Sequence, residues 1–143
     1  MMTTSTDTMS GAPSRGGADA SRAVAGVQAG FYAATGLWPV VSPGTFQAVT
    51  GPKREVWLVK TTGLLITAVG AALAVGARRP RVSPETATLG VASAAVLAAV
   101  DLVYVARRRI SPVYLLDAVA ELALVGAWAL ARRRAGPAPS GST

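Results

Sequence analysis

VWLVKTTGLLITAVGAALAVGA, residues 56–77, carries a single charged side chain, Lys60. Crossing a hydrocarbon core about 30 Å thick takes about 20 helical residues. This run is apolar nearly all round, where the helix of a soluble domain would be apolar on one face. Three more stretches have the same character, at 23–41, 87–106 and 112–131, and short Arg-bearing segments separate them. The expected fold is therefore all-α: a four-helix transmembrane bundle running up-down-up-down, with lipid as its solvent.

At 143 residues there is room for one domain, and the four spans use almost all of it. Residues 23–134 form the expected membrane domain. Residues 1–22, rich in Ser, Thr, Gly and Ala, and residues 135–143, Ala-Gly-Pro-Ala-Pro-Ser-Gly-Ser-Thr, read as disordered tails. The run at 23–41 is long for the apolar core of a signal peptide, and no small-x-small cleavage site follows it, so it reads as a retained span.

The net charge of +7 does not point to nucleic acid. The basic residues sit in blocks at span ends, Arg78–Arg79–Pro80–Arg81, Arg107–Arg108–Arg109 and Arg132–Arg133–Arg134, where they set topology and meet lipid headgroups. No basic surface interleaved with aromatics exists to carry nucleic-acid binding. With neither Cys nor His in the chain, thiol chemistry, Cys/His zinc sites and haem held by His or Cys are excluded. No cofactor, metal site or catalytic residue is expected. Counting by side, Arg15, Arg22, Arg78, Arg79, Arg81 and Arg132–Arg134 share one face of the membrane, and Lys53, Arg54, Lys60 and Arg107–Arg109 the other. That is eight against six, which by the positive-inside rule places both termini in the cytoplasm of a plasma (inner) membrane protein.

Three acids inside the spans need an explanation: Asp101, Asp117 and Glu121. At a helix centre such a group costs about 2.5–3.5 kcal/mol to insert, and each Leu or Val returns only about 0.3–0.6 kcal/mol. Asp117 and Glu121 are four apart and share a helix face, continued by Tyr114 and Trp128. The third and fourth spans are palindromic around Arg109, Asp101-Leu-Val-Tyr104 mirroring Tyr114-Leu-Leu-Asp117. An antiparallel hairpin sets the two Asp at one depth, roughly 8 Å below its end, with Glu121 roughly 13 Å down. Lys60 approaches from the same side, and the connection at 42–55 lies over it, with Phe46, Ala48 and Val49 forming a short interfacial turn. The reading is a polar pocket of Lys60, Asp101, Tyr104, Asp117 and Glu121, with Trp38, Trp57 and Tyr114 as interface anchors.

Plainer readings compete at each position. Lys60 can snorkel to the headgroups, Asp101 and Asp117 can pair with the Arg107–Arg109 run, and both tyrosines fit an aromatic belt. Glu121 is too deep for such an account. Gly26 and Gly30 form a small-xxx-small pair, which fits either a close helix contact in the first span or chance occurrence in an Ala/Gly-rich run.

Gly36-Leu-Trp-Pro39, Phe46-Gln-Ala-Val-Thr-Gly-Pro-Lys53 and Trp57-Leu-Val-Lys-Thr-Thr-Gly63 resemble a group of small bacterial four-span membrane proteins without assigned function. In size and layout alone the chain is similar to compact bundles such as the DoxX-like proteins. The Ala/Arg/Gly-heavy composition resembles that of high-GC bacteria. The resemblance implies the fold and brings no chemistry with it. The expected role is a non-catalytic integral membrane protein whose polar pocket binds a small molecule, a lipid or a partner. The bilayer, a second copy of the chain or another membrane protein are the expected partners. Two alternatives stand beside it: an oligomeric proton-coupled transporter subunit, with Asp117 and Glu121 titrating against Lys60, and a membrane-embedded enzyme using its carboxylates as acid and base.

Overall fold

A computed structural model describes residues 15–136, and among them five helices and no strand. They are α1 (Arg15–Val41), α2 (Pro43–Thr50), α3 (Val56–Ala77), α4 (Pro84–Ala106) and α5 (Tyr114–Arg134). Three of them, α3, α4 and α5, are long and apolar enough to cross a membrane. α1 is longer still but more polar, carrying Arg22, Gln28 and Tyr32.

Local chemistry sets the boundaries. Ser83 caps α4, its hydroxyl accepting the Thr86 N–H at 3.2 Å, with Pro84 in the first turn. Pro43 opens α2, and Gly51 closes it at φ +89°, a left-handed conformation that favours glycine. Arg132–Arg134 occupy the last turn of α5, where cations meet the negative end of the helix dipole. In the α4–α5 turn Arg108 takes φ +54°, a left-handed conformation unusual for a side-chain-bearing residue.

Two boundaries differ from the sequence reading. α1 begins at Arg15, so residues 15–22 are helical where a disordered tail was expected. Tertiary packing overrides their composition: Gly17 lies against the backbone of Arg134 and Ala135, and Arg22 donates from Nε to the Ala77 carbonyl at 3.2 Å, capping the end of α3. The rest of that expected tail, residues 1–14, and residues 137–143 of the other lie outside the described residues. The connection at 42–55 holds a two-turn helix, α2, rather than a single turn.

Glycines let the helices approach. A β-carbon on Gly36 of α1 would lie 2.5 Å from the Gly63 carbonyl oxygen of α3, and one on Gly70 would meet Ala29 and Tyr32. With Arg22 at Ala77, these contacts make α1 and α3 antiparallel. Gly90 near the start of α4 packs under Trp128 near the end of α5, so that pair is antiparallel too. α1 also packs on α5 and α4, and α3 touches α4 where Gly76 meets Thr86. Gly26 and Gly30 do not form the close helix contact: both face open space.

The core is small-residued and the outside is large. Six of the ten buried apolar residues are alanines, Ala25, Ala29, Ala94, Ala98, Ala118 and Ala131. Leu64, Leu65, Leu116 and Val119 are each more than half exposed, while Gln28, Asp101 and Glu121 are buried. In water that distribution would forfeit the hydrophobic driving force. In lipid it is the favourable one, since small residues allow close packing and polar groups find partners only inside.

Candidate functional site

Two polar clusters lie between the helices, at different depths. The deeper one joins α1, α4 and α5. Gln28 and Tyr32, four apart on α1, point into the interior, where Gln28 is fully buried and Tyr32 nearly so. The Gln28 amide donates to the Gly90 carbonyl at 2.9 Å, and its Oε1 accepts from Trp128 Nε1 at 2.7 Å. Ser93 Oγ lies 3.5 Å from Gln28 Nε2 and 3.3 Å from the Tyr32 hydroxyl. That hydroxyl also reaches Glu121 Oε2 at 3.0 Å. Gly90 is required here, because a β-carbon would stand 2.7 Å from the indole nitrogen and 2.9 Å from Gln28 Oε1. Gln28, Tyr32 and Glu121 thus each find a partner on another helix, the arrangement lipid demands.

The shallower cluster holds the other two acids. Asp101 lies on the buried stripe of α4, after Gly90, Ala94 and Ala98, and is 7% exposed. It faces Asp117 of α5, which is half-buried, with the two carboxyls in mutual contact. Asp101 Oδ2 is enclosed and receives no hydrogen bond. Tyr114, one turn before Asp117, is partly buried beside the pair, with the Thr50 hydroxyl of α2 in reach of its own.

Lys53 closes this end. Its Nζ sits 5.1 Å from the centre of the Tyr114 ring, a cation–π contact, and donates to the Thr50 carbonyl at 3.2 Å. The Lys53 backbone N–H is fixed by Gln47 Oε1 at 2.9 Å. Burial against α2 pulls the Lys53 ammonium below its ordinary pKa. A shallow recess opens beside α2 between Pro39, Phe46, Gln47, Lys53 and Val59, and the acids do not line it.

The structure therefore groups Asp101 with Asp117 and sets Glu121 below them, bonded to Tyr32. Lys60 is half-buried on α3, and no ion pair joins it to any of the three acids. Tyr104 is 45% exposed and turns outward. Trp38 stacks edge-on against Phe46 and donates to Thr45, and Trp57, 66% exposed, donates to Glu55. Among the described residues no three Asp or Glu side chains converge as a metal cage would require. Gln28, Tyr32 and Ser93 did not stand out in the sequence. The available signal was an amide and a phenol four residues apart inside an apolar run, both of which need partners in lipid. The chain matches no known protein family, no curated protein and no solved structure.

Proposed function

We propose that this chain is a four-span, up-down-up-down integral membrane protein of the plasma (inner) membrane, with α1, α3, α4 and α5 as its spans and both termini cytoplasmic. Its role is to bind a small molecule or a partner at an intramembrane polar site centred on Asp101 and Asp117. The observation that carries the reading is the inversion of polarity: Gln28, Tyr32 and Glu121 are almost wholly enclosed while Leu64, Leu65, Val96, Leu116 and Val119 of α3, α4 and α5 are each more than half exposed. Pairing with α3, α4 and α5 lets α1 cross despite its polar residues, since Gln28 and Tyr32 spend their hydrogen bonds on α4 and α5. The unpartnered carboxylate oxygen of Asp101 favours the shallower cluster as the binding site, because the deeper one is already saturated.

Because the chain has no cysteine, single-cysteine labelling tests this directly in intact cells. Gly16→Cys and Arg79→Cys are expected to react from the cytoplasmic side only, and Arg54→Cys and Arg109→Cys from outside only. Finding Gly16→Cys and Arg54→Cys on the same side would remove α1 as a span. Recovery of the protein in the aqueous fraction after carbonate washing would overturn the membrane reading altogether.

A further inference from the structure

We propose that Asp101 and Asp117 together hold one monovalent positive charge, a proton or an alkali-metal ion, between α4 and α5. The inference deepens the four-span reading and rests on it. Two independent features place the carboxyls face to face. The first is register: Gly90 packs against Trp128, and Asp101 lies eleven residues after the one while Asp117 lies eleven before the other, so an antiparallel pair brings them level. The second is the burial of Asp101 on the α4 stripe that faces α5, with Oδ2 shut away from any donor.

Two facing carboxylates with no donor between them repel strongly where the effective dielectric is low, and each loses its hydration. Bringing a positive charge between them removes both penalties. Among the described residues none supplies that charge. Arg107–Arg109 are exposed on the turn and make no ion pair with either acid, and Lys60 makes none. The Lys53 ammonium is engaged by the Tyr114 ring and the Thr50 carbonyl. The other titratable groups around the pair are Tyr114 and Glu121 on α5 and Tyr32 on α1, and Glu121 is already bonded to Tyr32. A divalent ion such as calcium wants six to eight oxygen ligands, and among the described residues no third carboxylate joins these two. A single charge matches the donor set: a proton bridges the two carboxyls directly, and an alkali-metal ion takes both with the Tyr114 hydroxyl nearby.

Dicyclohexylcarbodiimide tests the idea on the full chain, extracted from the membrane fraction and reconstituted in nanodiscs, so that failure of membrane residence is seen before labelling begins. The reagent partitions into lipid and modifies protonated carboxyls. In buffer free of sodium and potassium, scanned from about pH 5 to about pH 9, one adduct per chain is expected, located by peptide mass spectrometry on Asp101 or Asp117 and declining as pH rises. Insensitivity to added sodium or potassium at fixed ionic strength identifies the proton as the ligand, and protection by either ion identifies the metal. Asp101→Asn and Asp117→Asn each supply an amide donor to the remaining carboxylate, so labelling of that carboxylate is expected to fall at least tenfold. No adduct on either residue across this pH range overturns the proposal, as does undiminished labelling in both Asn variants.

Discussion

The Trp128 indole N–H donates to Gln28 Oε1 across 2.7 Å, tying the end of the last helix to the middle of α1, 100 residues away in sequence. Both side chains are fully buried. The bond matters because the opposite face of the Gln28 amide holds the Gly90 carbonyl of α4, so one side chain links three helices. Gln28→Leu keeps the bulk and removes both bonds, leaving the indole N–H unsatisfied. A loss of about 1–3 kcal/mol is expected, read as earlier loss of helicity on titration with SDS in mixed micelles. Trp128→Phe in the same background removes the orphaned donor and is expected to restore part of the loss. A Gln28→Leu variant as resistant as the parent would show that lipid or other groups satisfy the indole.

Helix approach gives a second test with opposite signs at neighbouring sites. Gly36 and Gly63 pack backbone to backbone, so Gly36→Val or Gly63→Val must push α1 and α3 apart. A cost of at least about 1–3 kcal/mol is expected from such overpacking. Gly26→Ala and Gly30→Ala place methyl groups in open space, and removing glycine from a helix interior is expected to gain up to about 1 kcal/mol each. The same denaturation series measures all four variants. Destabilisation by Gly26→Ala would mean that this face is covered by something outside the chain.

Lys53 provides a pH-dependent reading outside the spans. Its pKa is lowered in the folded protein by desolvation, so the unfolded state binds more protons in the interval between the two values. Docking of the linker onto Tyr114 therefore strengthens as pH rises through the folded pKa, and the gain is complete once pH passes the ordinary lysine value of 10.5. With only two lysines in the chain, ¹³C-dimethylation gives two lysine resonances besides that of the α-amino group, and Lys60→Arg assigns them. The Lys53 signal is expected to titrate below that of free dimethyl-lysine. Titration at or above the free value would mean that the linker is not packed against α2.

The relative level of Asp101 and Asp117 was legible in the sequence, and helix rotation was not. The palindrome Asp101-Leu-Val-Tyr104 and Tyr114-Leu-Leu-Asp117 gave the levels of the acids, because rise per residue is fixed once a helix is assumed. Which way each side chain turns depends on packing among Ala- and Gly-rich faces that are nearly equivalent all round. Hence Tyr104 points outward while Asp101, three residues earlier, points in, and Gly36 and Gly63, not Gly26 and Gly30, meet a neighbour. The start of α1 at Arg15 was hidden for a related reason. Gly16, Gly17 and Ser21 have weak helix propensity, and the contacts that offset it, Gly17 with the end of α5 and Arg22 with the end of α3, lie far away in sequence. The Gln28–Tyr32 pair was visible as a cost of inserting polar groups, but its partners Ser93 and Trp128 lie on two other helices.

Tyr32 and Glu121 supply the last test, because their 3.0 Å bond crosses from α1 to α5 near mid-bundle. Tyr32→Phe removes the hydroxyl and leaves Glu121 without that donor, while Glu121→Gln preserves a polar partner for the phenol. The first is expected to be the more destabilising, by about 1 kcal/mol, and Glu121→Leu to cost more than Glu121→Gln. In a double-mutant cycle of Tyr32→Phe with Glu121→Leu, a coupling of about 0.5–2 kcal/mol is expected, since each change removes the same bond. Additive effects would indicate that Glu121 meets its needs elsewhere, through water reaching the bundle interior, and the deeper cluster would then be open rather than closed.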